Sequence, residues 1–134
     1  MSTSSSDLRS KLAKAKGLGA AHHGFSHWWL QRLTAVALIP LSVWFVYELL
    51  TVVLQMGPHF VRGWFTQPLN ASLLVLMLIA MFWHAKLGLQ VVIEDYVHQP
   101  AQKYALLLAN NFFCFACGVI SVLAVMKIHF GLIG

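Results

Sequence analysis

The chain is short of charge, and above all of acids. Of 134 residues, nine are Lys or Arg and four are Asp or Glu, 10% in all, against about 25% in a typical soluble domain. So few charges cannot cover a compact water-soluble surface, which excludes a soluble globular enzyme. The composition excludes a disordered chain as well and, with no internal repeats, a repeat solenoid. Cysteine is nearly absent: two residues, Cys114 and Cys117, form a C-x-x-C inside the run Asn-Phe-Phe-Cys-Phe-Ala-Cys-Gly. A redox pair needs a βαβ setting and a cation that lowers a thiol pKa, and a structural zinc needs four ligands. Neither is offered here, so both thiols read as packing residues. An apolar stretch near the start is missing as well, which excludes a cleavable secretory signal.

What is present is hydrophobicity. Apolar residues make up 59% of the chain and the mean hydropathy is +0.72. This is the composition of an all-α integral membrane protein, long enough for three or four spans of about 20 residues. The pattern divides into a tail over 1–29 and a transmembrane domain over 30–134, with spans over 30–55, 69–97 and 103–130. In the tail, Arg9, Lys11, Lys14 and Lys16 stand against the single acid Asp7. Such a tail can bind nucleic acid or anionic lipid. Beside a hydrophobic chain it reads as the positive-inside signal that keeps the N-terminus cytoplasmic, with membrane lipid rather than nucleic acid as its surroundings. The expected location is a bacterial cytoplasmic membrane. A basic, acid-poor start also suits a mitochondrial transit peptide, the lesser reading.

Trp28 and Trp29 stand where an interfacial belt would anchor the first span, and Pro40 inside it is expected to kink the helix. His59 to Pro68 reads as a short exposed connection. Gln99-Pro100 closes the second span, because a residue before proline disfavours helix.

Polar residues within a span are costly, and each is a candidate for function. The second span holds most of them. His84 lies about 22 Å along it from Leu69. It can ligate a metal or haem, or bond a neighbouring helix. Gly88, four residues on, shares its face, which gives room either to a flat macrocycle or to a closely packed helix. Asp95 follows His84 by eleven residues, returning to within about 20° of its face and lying about 16 Å away. Glu94 and Asp95 oppose the helix macrodipole and need a cation, a protonation role or water. Tyr96 is an interfacial residue or a hydroxyl donor. Arg32 opens the first span as an orientation signal or a fork for a carboxylate, and is expected at the same membrane level as Asp95 and Tyr96, with His27 assisting. Lys86, about 200° around from His84, faces away and has no assigned role. His22, His23, His59 and His98 lie at or beyond the boundaries and His129 near the far end of the third span. One mid-membrane histidine cannot supply both axial ligands of a haem without a partner.

The run His84-Ala-Lys-Leu-Gly88-Leu-Gln-Val-Val-Ile-Glu-Asp95-Tyr96 has the spacing H-x3-G-x6-D-Y. It resembles the hydrophobic membrane anchor subunit of succinate dehydrogenase, the small cytochrome b subunit of respiratory complex II. The Gln31-Arg32-Leu-Thr-Ala segment looks like the alphaproteobacterial form of that family. The resemblance implies a three-helix anchor bundled with a second membrane cytochrome b subunit. The pair would dock an iron–sulfur subunit that receives electrons from a flavoprotein subunit oxidising succinate, in respiratory electron transport. It implies a haem b shared between the two anchors, with His84 as this chain's axial ligand to the iron, Gly88 beside the macrocycle, and Arg32 and His27 near the propionates. It implies ubiquinone reduction near the inner face, with Tyr96 bonding a quinone carbonyl and Asp95 and Arg32 supporting that site. No catalysis is expected of this chain alone. Two other readings remain: a haem-free structural anchor of a fumarate reductase-type complex, and a small oligomeric transporter with Glu48, Lys86 and Asp95 along its path.

Overall fold

The computed structural model describes residues 21–54 and 58–131, so most of the basic tail lies outside the described residues. The architecture is all helix: α1 spans Ala21–Glu48 and runs on as a π-helical turn over Leu49–Val53, α2 spans Pro58–Thr66, α3 spans Pro68–Tyr96 and α4 spans Pro100–His129. Three stretches are long and apolar enough to cross a membrane: Ser26–Val52, Pro68–Tyr96 and Pro100–His129.

The same dipeptide punctuates both long-helix starts. Gln67 and Gln99 are extended, and Pro68 and Pro100 occupy the first turns of α3 and α4. Proline holds its predecessor out of the helical region and lacks the N–H that a first turn leaves unbonded. Pro100 therefore opens α4 as well as ending the preceding turn, and α4 starts three residues before the expected Lys103. Pro40 sits inside α1 without ending it. The π turn closes with the Leu54 N–H donating to the Leu49 carbonyl.

α3 packs against both α1 and α4, and among the described residues the backbones of α1 and α4 do not come close to each other. His84 touches α1, whereas Phe82 lies against Gly118 of α4. Two residues apart on a helix is about 200° of rotation, so the neighbours lie on nearly opposite flanks and the spans form a single layer. A single layer has little interior. Buried apolar residues are few, among them Leu41, Ala80 and Leu87, and none of the described large side chains is fully enclosed. Both faces are apolar instead, as at Val36, Ile39 and Val43, each about two-thirds exposed.

The densest packing lies where α2 docks. Ala71, Leu74 and Val125 form a small core, covered by Trp44, Phe45, Trp64 and Phe65. The Trp64 ring stacks 5.8 Å from Trp44 and meets Phe65 edge-on at 5.1 Å. Its indole N–H donates to Glu48 Oε2 at 2.7 Å. His129 Nδ1 reaches the Phe65 carbonyl at 2.8 Å. The segment expected to be an exposed connection is thus a helix, and its aromatic side closes one end of the layer.

Candidate functional site

The site is built at the α1–α3 crossing. His84 Nδ1 lies 3.2 Å from the Gln31 carbonyl and 3.1 Å from Thr34 Oγ1. The Thr34 hydroxyl is itself within 2.8 Å of the Leu30 carbonyl and 3.0 Å of the Gln31 carbonyl, so its one hydrogen is taken by α1. A carbonyl only accepts, and the occupied hydroxyl turns a lone pair outward. Nδ1 therefore carries the ring hydrogen, and Nε2 keeps its lone pair. Nε2 makes no hydrogen bond among the described residues, and unlike His27 Nε2 it is not sealed from the surface. The arrangement leaves a fixed imidazole with one basic nitrogen available.

Gly88 lies about 40° around α3 from His84. A Cβ added there would meet nothing within 4 Å. The glycine does not serve close packing within this chain; it leaves open space beside the histidine. His27 Nε2 is enclosed and unpartnered, a polar atom without its hydrogen bond on the same helix as Gln31 and Thr34.

Arg32 is exposed, its guanidinium carbon 4.5 Å from the centre of the Trp28 ring. Gln31 and Thr34 face His84, while Trp44 and Phe45 pack near Ala71 and Leu74, so α1 and α3 run antiparallel. This register sets Arg32 near the level of His84, and Asp95 lies about 16 Å further along the axis. The expected convergence of Arg32, Asp95 and Tyr96 on one level is not what the packing produces. The reason is that α1 begins at Ala21, three turns before Arg32, rather than at Leu30.

Asp95 and Tyr96 are exposed at the end of α3, Tyr96 by 79%. Neither side chain has a hydrogen-bond partner among the described residues; the Tyr96 carbonyl accepts from His98 Nδ1 at 3.1 Å. The opposition between acids and macrodipole is met by Lys103, whose Nζ donates to the Glu94 carbonyl at 3.1 Å. A cation on the last carbonyls compensates the negative helix end. The Glu94 carboxylate accepts from Gln90 at 2.8 Å.

Asn110 is the polar residue that pattern reading passed over. It is buried, and its amide donates to the Lys86 carbonyl at 3.0 Å while Oδ1 accepts from Cys114 Sγ at 3.4 Å. It ties α4 to α3 near mid-span. Its signal was available as an amide inside an apolar run. Cys114 is buried and Cys117 half-buried, both free. Glu48, Lys86 and Asp95 do not line one path: Glu48 is tied to Trp64 beyond the far end of the site, and Lys86 and Asp95 project from opposite sides of α3.

Against known proteins, residues 6–118 match the model of the succinate dehydrogenase/fumarate reductase transmembrane subunit family. A succinate dehydrogenase hydrophobic membrane anchor subunit of Rickettsia bellii is 35% identical over 120 residues, 89% of this chain and 94% of that protein. The subunit of the same name from Paracoccus denitrificans is 29% identical over 98 residues, covering 73% and 75%. A succinate dehydrogenase membrane anchor subunit of Reclinomonas americana is 30% identical over 77 residues, covering 56% and 64%. With three membrane-crossing helices and a family match over most of its length, the chain belongs to the succinate dehydrogenase/fumarate reductase transmembrane subunits.

Proposed function

We propose that this chain is the hydrophobic membrane anchor of a succinate:ubiquinone oxidoreductase, in which His84 supplies one axial ligand to a haem b shared with a second membrane cytochrome b subunit. The observation that carries the reading is the state of His84: Nδ1–H is held by the Gln31 carbonyl and Thr34 hydroxyl, and Nε2 is left with its lone pair. Ligating histidines are commonly held this way, the second nitrogen bonded to a carbonyl that fixes tautomer and ring orientation. The residues around it fit a haem. Gly88 opens space on the adjoining face, His27 Nε2 lacks a partner, and Arg32 is exposed at the same level to meet a carboxylate. Haem, when bound, supplies one-electron redox chemistry; the protein supplies ligand, orientation and charge.

Quinone belongs at the other polar station, where α3 ends. Tyr96 offers an unpartnered phenol to a quinone carbonyl, and Asp95 offers an exposed carboxylate to pass protons from water. Arg32, one helical register away, belongs with the haem edge more than with the quinone head. The soluble flavoprotein and iron–sulfur subunits would dock at this same inner end in a bacterial cytoplasmic membrane, with the N-terminus on their side.

The test is the dithionite-reduced minus oxidised optical spectrum of the purified native complex, wild type beside His84→Leu. A b-type α-band that is lost or shifted in the variant, with succinate oxidation to a soluble dye retained, is expected. An unchanged band would make His84 a packing residue. No band in an intact wild-type complex would leave a haem-free tether.

A further inference from the structure

Away from His84, α3 and α4 part to form a groove of about 370 Å³. Its floor is Phe82 and Gly118, the glycine so close that a Cβ would lie 3.6 Å from the Phe82 ring. Trp83 and Phe115 form its rims, and its walls are apolar as far as Leu123. Ile79 also lines a second groove of about 340 Å³ that reaches Pro68 and Phe130. From Lys86 to Pro68 the path is about 27 Å along α3.

Lys86 stands at one end of this groove, the single cation in its lining. Its Nζ lies 5.2 Å from the centre of the Trp83 ring and makes no hydrogen bond or ion pair among the described residues. The carboxylate on its side of α3, Glu94, is about 12 Å along the helix and already accepts from Gln90. A charge inside a membrane span is costly unless an acceptor meets it, and an aromatic face offsets only part of that cost. The acceptor that completes Lys86 has to come from whatever fills the groove.

We propose that this groove binds a single-chain anionic amphiphile, a long-chain fatty acid, with its carboxylate on Lys86 Nζ and its tail between Trp83 and Phe115 toward Leu123. The groove has the volume of one alkyl chain, and the cation at its end calls for an anion. A phospholipid would bring two chains and a bulky headgroup to a groove with room for one chain. A carboxylate is a compact anion that suits the point charge of an ammonium. Lys86 projects about 160° away from Gly88, so the groove lies on the far side of the layer from the proposed haem and the proposal does not depend on that reading.

The test uses the purified native complex in phosphatidylcholine nanodiscs with palmitate carrying a tail diazirine, followed by peptide mapping after illumination. Cross-links are expected within 79–86 and 115–123, displaced by unlabelled palmitate and not by its methyl ester. Lys86→Met should lower labelling by about thirtyfold or more, the lower end for removing one partner of a buried charge pair, and Lys86→Arg should retain it. Val119→Trp, which fills the groove without touching Lys86, should abolish labelling and decides the matter if the Lys86→Met complex does not assemble. Labelling insensitive to Val119→Trp overturns the proposal. So does labelling insensitive to Lys86→Met in an assembled complex, or competition by methyl palmitate or phosphatidylglycerol equal to that by palmitate.

Discussion

At the scale of single residues, the chemistry is decided by which atoms are left free. His84 is held through Nδ1 and keeps Nε2; Tyr96 keeps its phenol and Asp95 its carboxylate, both at the exposed end of α3. Replacing Tyr96 by Phe removes one hydroxyl without altering packing. Loss of one hydrogen bond of about 1–1.5 kcal/mol in the reacting complex is about a tenfold loss of rate. If Tyr96 serves the proposed quinone site, ubiquinone reduction falls by that factor while succinate oxidation by a soluble dye is unchanged, measured as two activities on one preparation. Equal loss of both would point to defective assembly. The relative heights and faces of His84, Gly88, Asp95 and Tyr96 are legible in the sequence because the four lie on one helix, where spacing alone fixes both. Asn110 was overlooked because its role is a bond to another helix.

At the scale of elements, the Gln-Pro pairs at 67–68 and 99–100 were readable as boundaries, since proline acts on its immediate neighbours. α2 was not. Its Arg62 and Gly63 resemble a polar link, and the helix is held by contacts made elsewhere: the Trp44 ring, the Glu48 carboxylate and the small core around Ala71 and Leu74. Trp64 is the residue through which α2 docks. Trp64→Ala removes a large ring from a packed cluster and leaves the Glu48 carboxylate without its donor. The expected cost is about 2–4 kcal/mol, toward the low end of Trp truncations because the ring is only half-buried. It should appear as a lower thermal inactivation temperature of the complex. The spectrum of the proposed haem should be unaffected, because His84 is about 20 Å away along α3 from Ala71. A change in that spectrum would mean that α2 is coupled to the site.

At the scale of the whole molecule, a single layer of helices cannot satisfy itself. With no large side chain fully enclosed among the described residues, stability has to come from what covers the two faces. On the proposed reading, the chain expressed alone should aggregate or exchange among oligomers in detergent, and run as a monodisperse species only when co-expressed with the proposed second membrane subunit, as read by size-exclusion chromatography. A stable lone monomer would show that the layer needs no protein partner. The sequence by itself determined that the chain enters a membrane, how many times it can cross, and which polar residues share a helix face, because hydrophobicity and helical period are local properties. Only the tertiary structure decided that Gln31 and Thr34 meet His84, that Arg32 stands level with the histidine and not with Asp95, and that α1 and α4 take opposite flanks of α3. Those outcomes depend on how one helix slides along another. The slide is set by the fit of Trp44, Phe45 and Trp64 over Ala71 and Leu74, a contact between distant segments that no local period encodes.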